Sequence, residues 1–442
     1  MSPQLNRQRG AATLIVVMVL FFIMSMVAAY TSRNLIFEQR TSANQLRSTQ
    51  ASEAAEAGLQ WALGLLNSGR IGASCMPSVN VVDTSFRQRY LFIDGSTGLV
   101  TPIPKVAPLP PAAVLPTAGT LEPSCVFNGT TWNCSCPTTG EVVAPTLPSG
   151  SAVSPAFRVR FRQHPIAARG QLVRIEVNGC TLYSEACLRF DGAGADNEGR
   201  ARATAYVTLK GAVTSAPTAA LTARTTIAVN PGGPADLSLF NSNPKGSGVT
   251  AQAGGAVTPV GLRLQTIPGS PNNASFIDND ASLMFADFAA ADRANAMFVA
   301  TFGMRWTTYR DQPGTVILNC VGNCTAAQVR TAGDQNPGRV IWLNGGLNVD
   351  TGGDIGSAAA PLAIVATGNG QFTTNATIYG LVYSQATDWG MAGSGAITGA
   401  AMAESAVSGT STATIAYDAD ILNLLRYGTG SFVMVPGTWK DF

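Results

Sequence analysis

Residues Ala11 to Tyr30 read AATLIVVMVLFFIMSMVAAY, twenty residues without a charge or a proline. A predominantly apolar stretch of that length is what a helix needs to cross a bilayer, so this segment is expected to insert. Arg7 and Arg9 precede it with no acidic counterweight, which predicts that the N-terminus stays on the cytoplasmic side and that everything after Tyr30 lies outside. The small residues Gly10, Ala11 and Ala12 come before the apolar run, whereas a secretory signal peptide carries its small-residue cleavage site after it. The helix should not stop at the membrane. No proline occurs from Ala11 to Ser68, and Leu46, Ala54, Gly58, Trp61 and Leu65 keep one apolar face at helical spacing. At 1.5 Å per residue such a helix would be about 85 Å long, far more than a bilayer requires. Arg33, Arg40 and Arg47 recur at intervals of seven and are read as a solvated face.

The pattern Arg7-Gln8-Arg9-Gly10-Ala11-Ala12-Thr13-Leu14 resembles a type III signal, in which prepilin peptidase cuts after the glycine and the new N-terminus is methylated. On that resemblance the cut falls between Gly10 and Ala11. The run Gln50-Ala-Ser-Glu-Ala-Ala-Glu-Ala-Gly58-Leu59, within Thr41 to Leu66, resembles the PilX-type minor pilin and type IV pilus assembly family. The likeness extends more loosely to the closing Val435-Pro-Gly-Thr-Trp-Lys-Asp-Phe442. It implies a pilus subunit whose partners are other minor and major pilins, prepilin peptidase, the inner-membrane assembly machinery and a tip adhesin. It also implies a single-pass, N-in inner-membrane protein that later moves to the cell-surface pilus. One departure stands out: major pilins carry glutamate at the fifth mature position, and here that position is Ile15.

Beyond the stem, composition points to strands. Glycine occurs 46 times, proline 25 times, and charged residues make up only 12% of the chain, which favours many short strands and turns over helical bundles. The expected class is α+β and mostly β: a long N-terminal pilin-type helix, an antiparallel β head, and a short C-terminal β-solenoid, with a β-sandwich as the alternative. The expected segments are leader 1–10, transmembrane and stem helix 11–68, Pro/Cys-rich loop region 69–156, antiparallel β domain 157–232, linker and helical insert 233–334, and solenoid-like domain with cap 335–442. Phe157, Val159 and Phe161 alternate with Arg158, Arg160 and Arg162, as half-buried strands do, and Thr225 to Val229 reads as a further strand of that sheet. Ala281 to Gly303 reads as one helix closed by Gly303. Isoleucines at 378, 397 and 415 recur with periods of 19 and then 18, which suggests stacked rungs, with a helix in Tyr417 to Tyr427 capping the terminal rung.

The eight cysteines, an even number, suit an oxidising compartment. Cys180 with Cys187 and Cys320 with Cys324 are expected as local bridges, and Cys75, Cys125, Cys134 and Cys136 as two pairs among themselves. Catalytic signals are weak. His164 is the single histidine, so only it could serve a His-paired nucleophile, and an HExxH zinc site is excluded. Gly393-Ser-Gly-Ala-Ile-Thr-Gly399 is one residue too long for a dinucleotide fingerprint. Asp278-Asn279-Asp280 lacks the later glycine and glutamate of a calcium loop and reads as a polar turn. With a formal net charge of +2 and four lysines, the chain has no broad field for nucleic acid. No cofactor, metal or enzymatic activity is expected. A type II secretion pseudopilin and a membrane-anchored solenoid adhesin or polysaccharide-acting protein are the competing functions; between Pro361 and Ala416 only Asp388 and Glu404 could supply a carboxylate pair.

Overall fold

The computed structural model describes residues 11–104, 120–138, 143–147, 154–191, 198–233, 236–293, 295–372 and 374–441. The leader Met1 to Gly10 therefore lies outside the described residues. A single helix runs from Ala11 to Leu66. Along its first two-thirds, from Thr13 to Thr49, every residue is exposed. The last third turns one face inward, with Ala51, Ala54, Ala55, Leu59, Ala62 and Leu66 buried. Of the expected face, Ala54 and Gly58 are buried and Trp61 and Leu65 lie on the flank, half-buried, while Leu46 is 59% exposed.

The seat for this face is a six-stranded antiparallel sheet. Its order is Gly430–Met434, Arg200–Gly211, Leu172–Cys180, Ala156–Gln163, Ser124–Phe127 and Trp132–Ser135. Alternation along Ala156–Gln163 sends Phe157, Val159 and Phe161 to the helix side, where they share a core with Leu59, Ala62, Phe86, Tyr90 and Val177. The arginines go to the other face. There the buried Glu176 accepts from Arg160 at 2.8 Å and forms ion pairs with Arg162 at 3.2 Å and with Arg174, so its charge is compensated as a buried carboxylate requires.

The first and second strands of that order are neighbours in the sheet but lie 219 positions apart in sequence, from Gly211 to Gly430. Between them the chain builds a second body around a parallel sheet. Ile378 pairs with Ile397, and Ile397 with Ile415, so the expected isoleucine register is present. The ladder then continues where the sequence periodicity does not point: Ile415 pairs with Leu239, and Leu239 with Leu264. Leu237–Phe240, Leu262–Gln265, Leu221–Ala223, Ala251–Ala253 and Phe276–Ile277 thus all belong to the parallel sheet. The stretch Thr225 to Val229, expected as an antiparallel strand, instead makes two isolated parallel bridges at Ile227, to Val257 and to Val407. Strands of two to four residues are too short to carry a readable period, and only their long-range partners define them.

A second ladder carries Leu347–Val349 onto Gly370–Phe372 and then Asp388–Gly393 and Ala406–Ser411. Gly380 and Gly399 face each other across adjacent strands with φ of +145° and +135°, a backbone state suited to glycine. The helix Ala419–Tyr427, N-capped by Asp418, does not cover the terminal strand. It lies along the side of the stack, with Leu422 and Leu425 in the same core as Leu381, Tyr383 and Met402. The expected single helix over Ala281 to Gly303 is three pieces, Ala281–Met284, Ala290–Arg293 and Ala296–Phe302, because Phe285 adopts a left-handed φ of 49° that ends the first.

A buried acid lies beside the third of these pieces. Glu404 accepts a hydrogen bond from the Tyr383 hydroxyl, and burial pushes its carboxyl up to about 8, opposed by Arg224 at 4.0 Å and by the Phe298 and Met297 amides. A carboxyl with a raised native pKa favours the protonated fold, so its contribution is fully present below pH 4.5 and is lost as pH rises towards 8. We expect Glu404→Gln to match the wild-type unfolding free energy at pH 5 and to exceed it at pH 8 by a few kcal/mol, at about 1.4 kcal/mol per pKa unit. Parallel pH profiles for the two proteins would refute this.

Candidate functional site: the stem helix and its seat

The candidate site begins with the exposed helix. Leu14, Phe21, Phe22 and Met24 are each more than 60% exposed, and the helix is long and apolar enough to cross a membrane. Ala11 is its first described residue. Ile15 follows one turn later at 62% exposure, an apolar side chain on the outside of the helix. Arg33 and Arg40 are also exposed on the second half of this segment.

The seat is built from small residues. A Cβ on Gly58 would stand 2.7 Å from both Phe157 and Val177, so glycine sets how closely helix and sheet approach. On the sheet side Gly179 meets the helix backbone at Ala51 and Ala55 in the same way. Trp61 closes the edge against Phe86 and Phe157, with ring centroids 5.5 and 5.3 Å apart.

The lower end of the stem is held by two polar groups that sequence reading does not single out. Asn67 pairs with the Phe432 backbone through both its amide nitrogen, at 2.9 Å, and its amide oxygen, at 2.8 Å. Arg87 is 1% exposed. Its Nε donates to the Leu66 carbonyl at 2.8 Å, at the helix end where carbonyls lack intrahelical partners, and its Nη1 donates to Gly338 and Gly430 at 2.8 and 2.9 Å. Burial, with Arg339 nearby, pulls its pKa down to about 9. One side chain thus ties stem, parallel body and returning strand together. The only signal for it in the sequence is a charge inside Phe86–Tyr90, a short segment with no visible period.

All eight cysteines are bonded: Cys75–Cys136, Cys125–Cys134, Cys180–Cys187 and Cys320–Cys324, with Cα separations of 5.3, 4.1, 6.2 and 5.2 Å. Cys134 and Cys136, two positions apart, go to different partners because Cys134 lies in the strand Trp132–Ser135 directly opposite Cys125, whereas Cys136 lies past the strand's end, where its amide bonds the Ala73 carbonyl beside Cys75. His164 sits past the end of Ala156–Gln163 beside Tyr206, with its Nδ1 accepting from the Ile166 amide. Asp280 spends its carboxylate on Ser282 and Gln252 as a helix cap, and no group of three or more metal-type side chains forms among the described residues.

An exposed helix of membrane length, continuous with a stem seated on an antiparallel sheet, gives a stem-and-head architecture whose apolar helix fits a single-pass membrane anchor. Residues 9–60 match the family model described as PilX N-terminal, so the chain carries a type IV pilus-related, pilin-like N-terminal region. No curated protein matches the chain. Among solved structures, the competence-associated pilin ComZ from Thermus thermophilus is 12% identical with a TM-score of 0.20, covering 90% of this chain and 97% of its own. A glycosylated ice-binding protein from Arctic yeast is 10% identical with a TM-score of 0.22, covering 48% of this chain and 95% of its own. At these scores neither likeness fixes the fold of this chain.

Proposed function

We propose that this chain is a minor pilin that primes type IV pilus assembly and sits at or near the filament tip, with its parallel body, read as a β-solenoid, presented outward. The observation that carries the reading is the placement of residues 212–429 as an insertion between adjacent strands of the stem-bearing sheet. A body of that size is hard to repeat along a shaft of closely packed stems and is unobstructed at its end. Ile15 supports the same position. In pilins the fifth-position glutamate is thought to neutralise the N-terminal amine of a subunit already above it within the apolar bundle. A first subunit has nothing above it, so isoleucine costs nothing there. Immunogold labelling confined to filament ends, few copies per filament, and loss of filaments on deletion of the gene are the expected results. Labelling along whole filaments, or undiminished filament numbers after deletion, would overturn the reading.

On the same reading Met1 to Gly10 is removed in the cytoplasm by prepilin peptidase, and Ala11 becomes the methylated N-terminus of an N-in subunit. Intact-mass spectrometry of the mature protein is expected to show a start at Ala11 with one added methyl group. A retained Met1, or a start beyond Tyr30, would rule this out. The subunit's role in this account is structural, with neighbouring pilins, the assembly machinery and a tip adhesin as partners.

A further inference from the structure

The short helices between Asp280 and Asp311 enclose a cleft of about 530 Å3, within the range of small-molecule sites. Phe285, Phe288 and Trp306 line it together with Asp292, Asn295 and Arg305. We propose that this cleft binds a neutral oligosaccharide. The proposal does not depend on where in a filament the subunit sits.

The aromatic part is built and held. Phe285 and Phe288 meet edge to face with centroids 5.9 Å apart. The left-handed φ of 49° at Phe285 is a strained state for a bulky residue, and it persists where the surroundings over-determine it. Arg293 contributes to that constraint by donating to the Ala286 and Phe288 carbonyls, both at 3.0 Å. Trp306 rests nearly parallel to the buried Trp342, 6.1 Å away, which anchors this wall to the core of the parallel body. Phe288 is nonetheless 52% exposed, an apolar ring that a ligand's C–H face would cover.

The polar part selects the ligand. Asp292 and Arg305 pair at 3.1 Å, and their side chains are 52% and 75% exposed. The pair's charges cancel, so an anionic or cationic ligand gains little net attraction. The same groups offer a two-oxygen acceptor and a fork of donors side by side, and Asn295 adds an amide that both donates and accepts. Adjacent hydroxyls on a sugar ring also both donate and accept, and their ring presents C–H faces to aromatics. A fatty acid would leave the ion pair facing hydrocarbon, an unfavourable placement for two charges.

The test uses the full chain in a detergent without a sugar headgroup, with cellopentaose, maltopentaose and chitopentaose as probes. Saturation-transfer NMR and tryptophan fluorescence are the readouts. At least one probe is expected to bind saturably. Phe288→Ala and the double variant Asp292→Ala with Arg305→Ala should each weaken it at least tenfold while melting within a few degrees of wild type. The double variant alters only exposed side chains, so it remains informative if Phe288→Ala unfolds. The proposal fails if none of the three binds at millimolar concentration, if neither variant weakens binding, or if a fatty acid or an unrelated peptide displaces the sugar from the cleft.

Discussion

Replacing Arg87 by alanine is expected to lower the unfolding free energy of the full chain by about 4 kcal/mol. The change removes three charge-assisted hydrogen bonds, leaving the carbonyls of Leu66, Gly338 and Gly430 without that donor in a buried junction, and it opens a void. The removed group is itself costly to bury, which holds the loss below the sum of three strong bonds. Arg87→Met separates these contributions, since it refills the volume without donors and should recover less than half of the loss. Arg87→Lys keeps the charge but not the fork geometry and should fall between the two. Denaturant titration of the three variants in micelles checks the order; a loss under 1 kcal/mol for the alanine variant would show that the junction does not need this residue.

The second large effect concerns one disulfide. Cys75–Cys136 spans 61 positions, whereas the other three span 9, 7 and 4. Loop-closure entropy grows with the logarithm of loop length, so this bridge should contribute about 4 kcal/mol and Cys320–Cys324 about 2 kcal/mol. Position adds to the difference. Cys75 and Cys136 lie in the core shared with the stem helix, and the backbone of Cys136 also bonds to Ala73 at 2.7 Å. Replacing Cys75 and Cys136 together by serine is expected to lower the melting temperature more than removing any of the three local bridges. Equal shifts for Cys75–Cys136 and Cys320–Cys324 would refute the ranking.

Much of the stem is legible in the sequence, because a helix declares itself locally. Charge-free length from Ala11, no proline before Ser68 and small residues through Ala51 to Gly58 are properties of one segment. Which face would be buried was less legible. Leu46 fits the helical period yet stays exposed, and the seat is centred on Ala54, Ala55 and Gly58 because Phe157 and Val177 fill the space a larger residue would need, which leaves Trp61 at the edge. Arg87 was invisible for a related reason: its three acceptors come from residues 66, 338 and 430, which no local pattern connects.

By itself, the amino-acid sequence determined the membrane-length helix and its continuation as a stem, the alternation of Phe157 to Arg162, and the in-register isoleucines at 378, 397 and 415. Each is a periodicity within one stretch, enforced by the geometry of a single helix, strand or regular repeat. Only the tertiary structure decided that the isoleucine ladder passes from Ile415 back to Leu239, that Gly430–Met434 returns to the sheet left at Gly211, and that the 419–427 helix flanks the stack. Those choices depend on which distant backbones pair and which apolar faces close on one another. Short strands carry too few residues to specify such partners alone, so the packing of the whole chain selects them.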